Sequence, residues 1–254
     1  TIDSTYYNGI YKSNGDAVII GNTIEHSGRY TWSATEFNGI YLKSSANYPS
    51  TDTLKNNTVR YNGAWAYSNP TGLQLGIGGI TIDGNTSVVM NANNIYENQG
   101  HDVTNLVSKS VAAIQDARYN FWGDTTTAEM NTGANPKNIS SIHDEYDNTV
   151  LGFVNYGQNY QGIITKDLLP DSLFYGGDSL LVETSNGTIG DWSNGVTNAN
   201  KIELNGYEGQ IKVTFDFFGD TIQDSSYVVN LDKIYVSGAL REDSVLGTIT
   251  GGKW

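Results

Sequence analysis

The 254 residues carry 27 acidic against 14 basic side chains, a formal charge of −13. That balance opposes nucleic acid, whose phosphates need Lys and Arg, and an anionic membrane surface. Cysteine is absent, which excludes disulfides and thiolate metal sites. No apolar run approaches the roughly 20 residues that insert across a bilayer. Only 38% of residues are hydrophobic, accompanied by 29 Gly and 17 Tyr, a mixture that suits short strands and tight turns better than helical heptads. The expected class is all-β.

In chain order, a first motif occurs at Asn8-Gly9-Ile10-Tyr11 and returns at Asn38-Gly39-Ile40-Tyr41 and Thr71-Gly72-Leu73-Gln74. A second lies between its copies: Asn22-Thr23-Ile24, Asn57-Thr58-Val59 and Asn93-Asn94-Ile95, each followed three residues after the aliphatic by Ser27, Asn62 or Asn98. Tyr119-Asn120-Phe121-Trp122-Gly123 is a fourth, degenerate copy. The asparagines at 22, 57, 93 and 120 are spaced by 35, 36 and 27 residues. Repeats of this length predict stacked coils, since one coil cannot bury its inner face alone. Ile24, Val59 and Ile95 are expected to form one inward stack; Ile10, Ile40 and Leu73 another. The recurrent Asn is expected at a bend, bonded to the Asn of the next coil.

These residues resemble the parallel β-helix repeat family, whose best-known members are pectate-lyase-like. Ala117-Arg118-Tyr119-Asn120-Phe121-Trp122-Gly123-Asp124 is similar to the Asn-Trp-Trp-Gly signature that often ends such helices. The stretch from Asn135 to Tyr156 resembles their closing segment. The resemblance covers residues 1–160 and implies a right-handed parallel β-helix of three to four coils, secreted or surface-displayed. The fold hosts lyases, hydrolases, epimerases and adhesins alike, so it implies no single activity. The chain starts inside a coil, and further coils are expected before Thr1.

Residues 166–254 change pattern. Ile202-Glu203-Leu204, Gln210 to Phe217 and Tyr227 to Leu231 alternate apolar and polar, as half-buried antiparallel strands do. A small antiparallel β-sandwich, of the kind appended to carbohydrate-active enzymes, is expected.

Two insertions follow equivalent points of successive coils: Arg29-Tyr30-Thr31-Trp32 after Gly28, and Ala64-Trp65-Ala66-Tyr67 after Gly63. If Ile10, Ile40 and Leu73 point inward, then Tyr11, Tyr41 and Gln74 point outward beside them, with Lys43 on the same face. Aromatic faces with hydrogen-bonding neighbours suit sugar rings. The expected glycan groove has Tyr30, Trp32, Trp65 and Tyr67 as walls, Tyr11, Tyr41 and Gln74 as floor, and Arg29 and Lys43 at its edge.

Catalytic signals are sparse. Lys43 and Arg60 are candidate bases for lyase chemistry, which also neutralises a uronate carboxylate, often with Ca²⁺. Glu25, Asp83 and Glu97 offer carboxylates for a hydrolase, yet nothing in the sequence pairs them. His26, His101 and His143 have no metal-ligand spacing. Asp216, Asp220 and Asp224 supply hard oxygens at short spacing for a Ca²⁺. Two functions of different classes fit: carbohydrate recognition, with or without lyase or glycoside hydrolase activity, and a structural role as adhesin, stalk or fibre segment.

Overall fold

The computed structural model describes residues 1–28, 37–63, 77–165, 167–217 and 220–231. The chain divides into two compact units, Thr1–Ile164 and Thr165–Trp254. In chain order the first contains β1 (Ile2–Asp3), β2 (Ile10–Ser13), β3 (Val18–Ile20), β4 (Thr23–Glu25), β5 (Phe37–Ser44), β6 (Ser50–Lys55) and β7 (Thr58–Arg60). It continues with β8 (Ile77–Gly84), β9 (Thr86–Asn91), β10 (Asn94–Tyr96), β11 (His101–Asn105), β12 (Ile114–Asp116), helix α1 (Gly123–Asn131), β13 (Ile142–His143) and β14 (Phe153–Asn155).

These strands form three sheets: A, in the order β1-β4-β7-β10; B, β13-β11-β8-β5-β2; and C, β14-β12-β9-β6-β3. Every strand pairing within them is parallel. From β2 onward the chain visits B, C and A in turn, so each strand pairs with its counterpart one circuit later.

Register sets the core. Ile24 pairs with Val59, and Val59 with Ile95; all three are fully buried, as the repeats predict. In sheet C, Ile19, Leu54 and Met90 stack in the same way. In sheet B the stack runs Ile10, Ile40, Ile80, Val103, Ile142. Its third member is therefore Ile80, not Leu73, which lies outside the described residues. Each buried aliphatic contributes roughly 1.5–3 kcal/mol. One charge pair interrupts this interior: Lys12, in register with Leu42, places Nζ 2.8 Å from Oδ2 of the fully buried Asp52.

Both ends of the sheet A strands are bends held by side-chain ladders. At the first, the backbone N–H and amide of Asn22 donate to Oδ1 of Asn57, those of Asn57 to Oδ1 of Asn93, and those of Asn93 to Oδ1 of Asn120, all at 2.8–3.2 Å. At the second, Ser27 N donates to Asn62 Oδ1, and Asn62 to Asn98 Oδ1. The last rung there is Asp102, which accepts from Asn98 and whose carboxyl burial pushes up to about 7. Non-glycine residues turn these corners in the left-handed region: Asn56, Ala92 and Tyr119 before the first ladder, His26, Tyr61 and Glu97 before the second. That conformation costs roughly 1 kcal/mol or more per residue, which the ladder bonds offset.

The second ladder also explains Gly9, Gly39 and Gly79, each one residue before its inward aliphatic. A Cβ at Gly39 would lie 2.8 Å from Asn62 Nδ2, and one at Gly79 2.8 Å from Asn98 Nδ2. Gly39→Ala is expected to destabilise by roughly 1–3 kcal/mol, read as a lower urea midpoint at unchanged m-value.

Helix α1 is the one α-helix among the described residues of this all-β chain. Its sequence is a poor helix former, so packing decides: Thr126, Thr127 and Met130 are buried, Met130 within the same apolar core. Just before it, Trp122 is buried in that core and Phe121 bridges Asn94 in parallel. The Asn-Phe-Trp-Gly stretch thus supplies the last ladder rung, a bridge and a core residue in succession.

The second unit contains β15 (Ser172–Tyr175), β16 (Ser179–Glu183), β17 (Asp191–Trp192), β18 (Lys201–Asn205), β19 (Gly209–Phe217) and β20 (Asp220–Asn230). One sheet runs β15-β20-β19-β17; β16 and β18 form a separate antiparallel pair. Ile202 and Leu204 on β18, and Ile211, Val213 and Phe215 on β19, are buried at alternate positions, as their period of two predicts. The strand pairing is mixed, since β15 runs parallel to β20. Among the described residues no helix is long and apolar enough to cross a membrane.

Candidate functional site

The outer face of sheet B gathers the most chemically varied side chains of the first unit. Because parallel register stacks equivalent residues, Tyr11, Tyr41, Thr81, Thr104 and His143 form one row across five strands. Two residues further on, Ser13, Lys43 and Asp83 form a second. A third contains Asn38, Gly78 and His101. The Thr81 hydroxyl donates to Asn38 Oδ1 at 2.8 Å, and the rings of His101 and His143 lie 5.5 Å apart, which places both flanking residues on this face.

Much of the face is buried. Tyr41, Thr81, His101 and Thr104 are closed to solvent, while Tyr11 is 52% exposed and the Lys43 side chain 49%. Tyr11 stacks on Tyr41 at 5.6 Å, nearly parallel. Tyr41 donates from its hydroxyl to Asp83 Oδ2 at 2.8 Å, and Lys43 Nζ sits 3.0 Å from the same oxygen. Burial alone raises the Asp83 carboxyl, but the bonds from Tyr41 and Lys43 outweigh it and the net shift is downward. The result is an anionic Asp83 held between a phenol and an ammonium. His101 is shifted downward from a histidine's ordinary value: burial, and then the nearby His143, disfavour its protonation.

Of the residues the sequence nominates, Tyr11, Tyr41 and Lys43 do share one face. Tyr41 is not an open floor, however, because coil-on-coil stacking covers one side of its ring with Tyr11 and its hydroxyl is bonded to Asp83. Arg29, Tyr30, Trp32, Trp65, Tyr67 and Gln74 lie outside the described residues. Arg60 stands apart on sheet A, bonded through Nε to Glu25 Oε2 at 2.9 Å and through an Nη to the Tyr96 hydroxyl at 3.1 Å. Those bonds, Tyr96's first, hold the guanidinium even further above its ordinary value.

Asp216 and Asp224 of the second unit do not converge, and the side chain of Asp220 lies outside the described residues. Asp216 pairs across the hairpin with Thr221, three residues from Asp224, so Asp216 and Asp224 occupy opposite faces. Asp224 instead accepts from the backbone N–H groups of Leu168 and Leu169 at 2.6 and 2.7 Å, and from Ser225 N. Among the described residues no group of three or more His, Asp or Glu is placed to cage a metal ion.

In the sequence Asp83, His101 and His143 stand as isolated side chains. The signal for Asp83 is the repeat itself, which places it one coil after Lys43 once Ile80 is taken as the counterpart of Ile40. No protein-family model, no curated protein and no solved structure matches the chain.

Proposed function

We propose that the first unit is a segment of a right-handed parallel β-helix, from a secreted or surface-displayed protein, that recognises glycans on the outer face of sheet B. The observation that carries this is the half-exposed Lys43 paired with Asp83 and flanked by the Tyr11–Tyr41 stack, on a face where strand register aligns aromatic and polar groups. A glycan lying across this face packs against the edge of Tyr11 and shares hydroxyls with Lys43 and Asp83. The two insertions carrying Trp32 and Trp65 belong to this proposal as walls. The second unit is proposed as an accessory β-sandwich. Cleavage of the bound glycan, as a lyase or glycoside hydrolase, is a separate matter, because Lys43 is engaged with Asp83 rather than held as a neutral base.

The test is a glycan array with the intact chain, followed by titration of any hit. Tyr11→Ala and Lys43→Ala should each weaken binding by about 5- to 150-fold, corresponding to roughly 1–3 kcal/mol, with an unchanged melting temperature. Trp32→Ala combined with Trp65→Ala should do the same. Binding indifferent to all of these variants, or no binding above background, rejects the proposal. The structural role as adhesin or stalk segment then stands, supported by the unbroken ladders and by cations engaged within the fold. Assays for unsaturated uronate products and new reducing ends on the same hits address catalysis.

A further inference from the structure

We propose a transition-metal site, of the class that takes Zn²⁺, formed by His101 and His143 on the outer face of sheet B. Three polar atoms on the neighbouring strands β11 and β13 are buried with no hydrogen-bond partner: Nδ1 of His101, Oγ1 of Thr104 and Nε2 of His143. Thr104 and His143 are in direct register, and the two rings are tilted by 53° with centroids 5.5 Å apart. A buried polar group without a partner costs about 1–3 kcal/mol, so two such imidazole nitrogens on rings in contact, beside an unpartnered hydroxyl, point to a ligand that engages them.

The ring geometry is compatible with a shared ion. Imidazole nitrogens bound at about 2.0–2.1 Å around a near-tetrahedral ion bring their ring centroids to roughly 5 Å, close to the separation seen. The tautomers fit as well. Oδ2 of Asp147 lies 3.6 Å from Nδ1 of His143, beyond hydrogen-bond length but near enough for its charge to favour the proton on Nδ1 and leave the Nε2 lone pair available. Asp147 is itself held by the backbone N–H of Asp144 at 3.2 Å and the amide of Asn138 at 3.4 Å. His101 would ligate through Nδ1. The Thr104 hydroxyl would bond a single enclosed water on the ion. Neutral imidazoles select Zn²⁺, Cu²⁺ or Ni²⁺ over Ca²⁺ or Mg²⁺, which require oxygen cages. This inference stands on different atoms from the Tyr11 and Lys43 surface and does not require glycan binding.

The sequence has three histidines, and the third serves as an internal control: His26 is 43% exposed and contacts Asp3 and Tyr61 instead. Zn²⁺ is titrated into the intact, chelator-treated chain while imidazole ¹⁵N resonances are followed. Resonances of His143 Nε2 and His101 Nδ1 should move together and saturate, with those of His26 unmoved. Co²⁺ should give ligand-field absorption that His101→Ala or His143→Ala abolishes and His26→Ala retains. Asp147→Asn should weaken the ion by about 10-fold. The proposal is overturned if the His101 and His143 resonances do not respond, or if Co²⁺ absorption survives in the His101→Ala/His143→Ala chain. The resonance experiment uses the unaltered chain, so misfolding of a variant does not affect it.

Discussion

Val59→Asp is expected to abolish the folded first unit, with loss of more than about 4 kcal/mol, since a carboxylate would be buried with no cation to pair it. Val59 is fully buried between Ile24 and Ile95, and its neighbours along the stack are aliphatic on both sides. Val59→Ala removes only two methyl groups and should cost roughly 2–3 kcal/mol, the transfer term plus a small cavity. The adjacent Arg60 is the control for position. It points outward into a partly exposed pair with Glu25, so Arg60→Ala should cost less than about 1 kcal/mol. Urea unfolding of the three variants, followed by far-ultraviolet circular dichroism, gives the order directly. Equal losses for Val59→Asp and Arg60→Ala would contradict the inward assignment.

That inward assignment is legible in the sequence because Asn22, Asn57 and Asn93 keep nearly constant spacing, and each precedes its aliphatic by the same two residues. Sheet B is less legible. Leu73 and Ile80 both follow a glycine, and the motif asks only for a small residue before an aliphatic. What separates them is the approach of the Asn98 amide and the Asp102 carbonyl to Gly79, a contact between coils that no single copy of the motif displays. The same shift of seven residues moves Gln74 into the expected floor and conceals that Asp83 faces Lys43.

The histidine pair is illegible for a related reason. His101 and His143 meet only because α1 and the segment after it intervene before the chain returns to sheet B, so their separation in sequence reflects an excursion rather than a ligand spacing. In the second unit, alternation identifies the buried residues of β18 and β19 but not the parallel partner of β20. Side-chain period fixes which face is buried and leaves strand direction open. The same register logic separates Asp216 from Asp224, which closeness in sequence groups together.

Asn93→Ala should be the most damaging substitution among the ladder asparagines, at roughly 3–5 kcal/mol. Its Oδ1 accepts from both the backbone N–H and the amide of Asn57, while its Nδ2 reaches the carbonyls of Leu54 and Asn91 and Oδ1 of Asn120, all within 3.0 Å. Alanine leaves these groups buried and short of partners in one step. Asn22→Ala tests whether chemistry or burial sets the cost. Asn22 has the same identity and the same place in the ladder, but its amide donates to Asn57 Oδ1 and Ile20 O at a partly exposed end, and the loss should stay below about 1 kcal/mol. Asn93→Asp separates the two halves of the amide. It keeps the acceptor for Asn57 and replaces the donor with a carboxylate oxygen facing two backbone carbonyls and the Asn120 amide oxygen, so its folded-state pKa is raised above the unfolded value of about 3.9. Relative to the parent chain at each pH, its deficit should be largest at neutral pH. It should shrink as pH falls below the raised folded-state pKa, where a protonated side chain regains one donor. A deficit that grows on acidification, or an Asn22→Ala loss equal to that of Asn93→Ala, would show that the ladder does not carry the bends in the way its hydrogen bonds indicate.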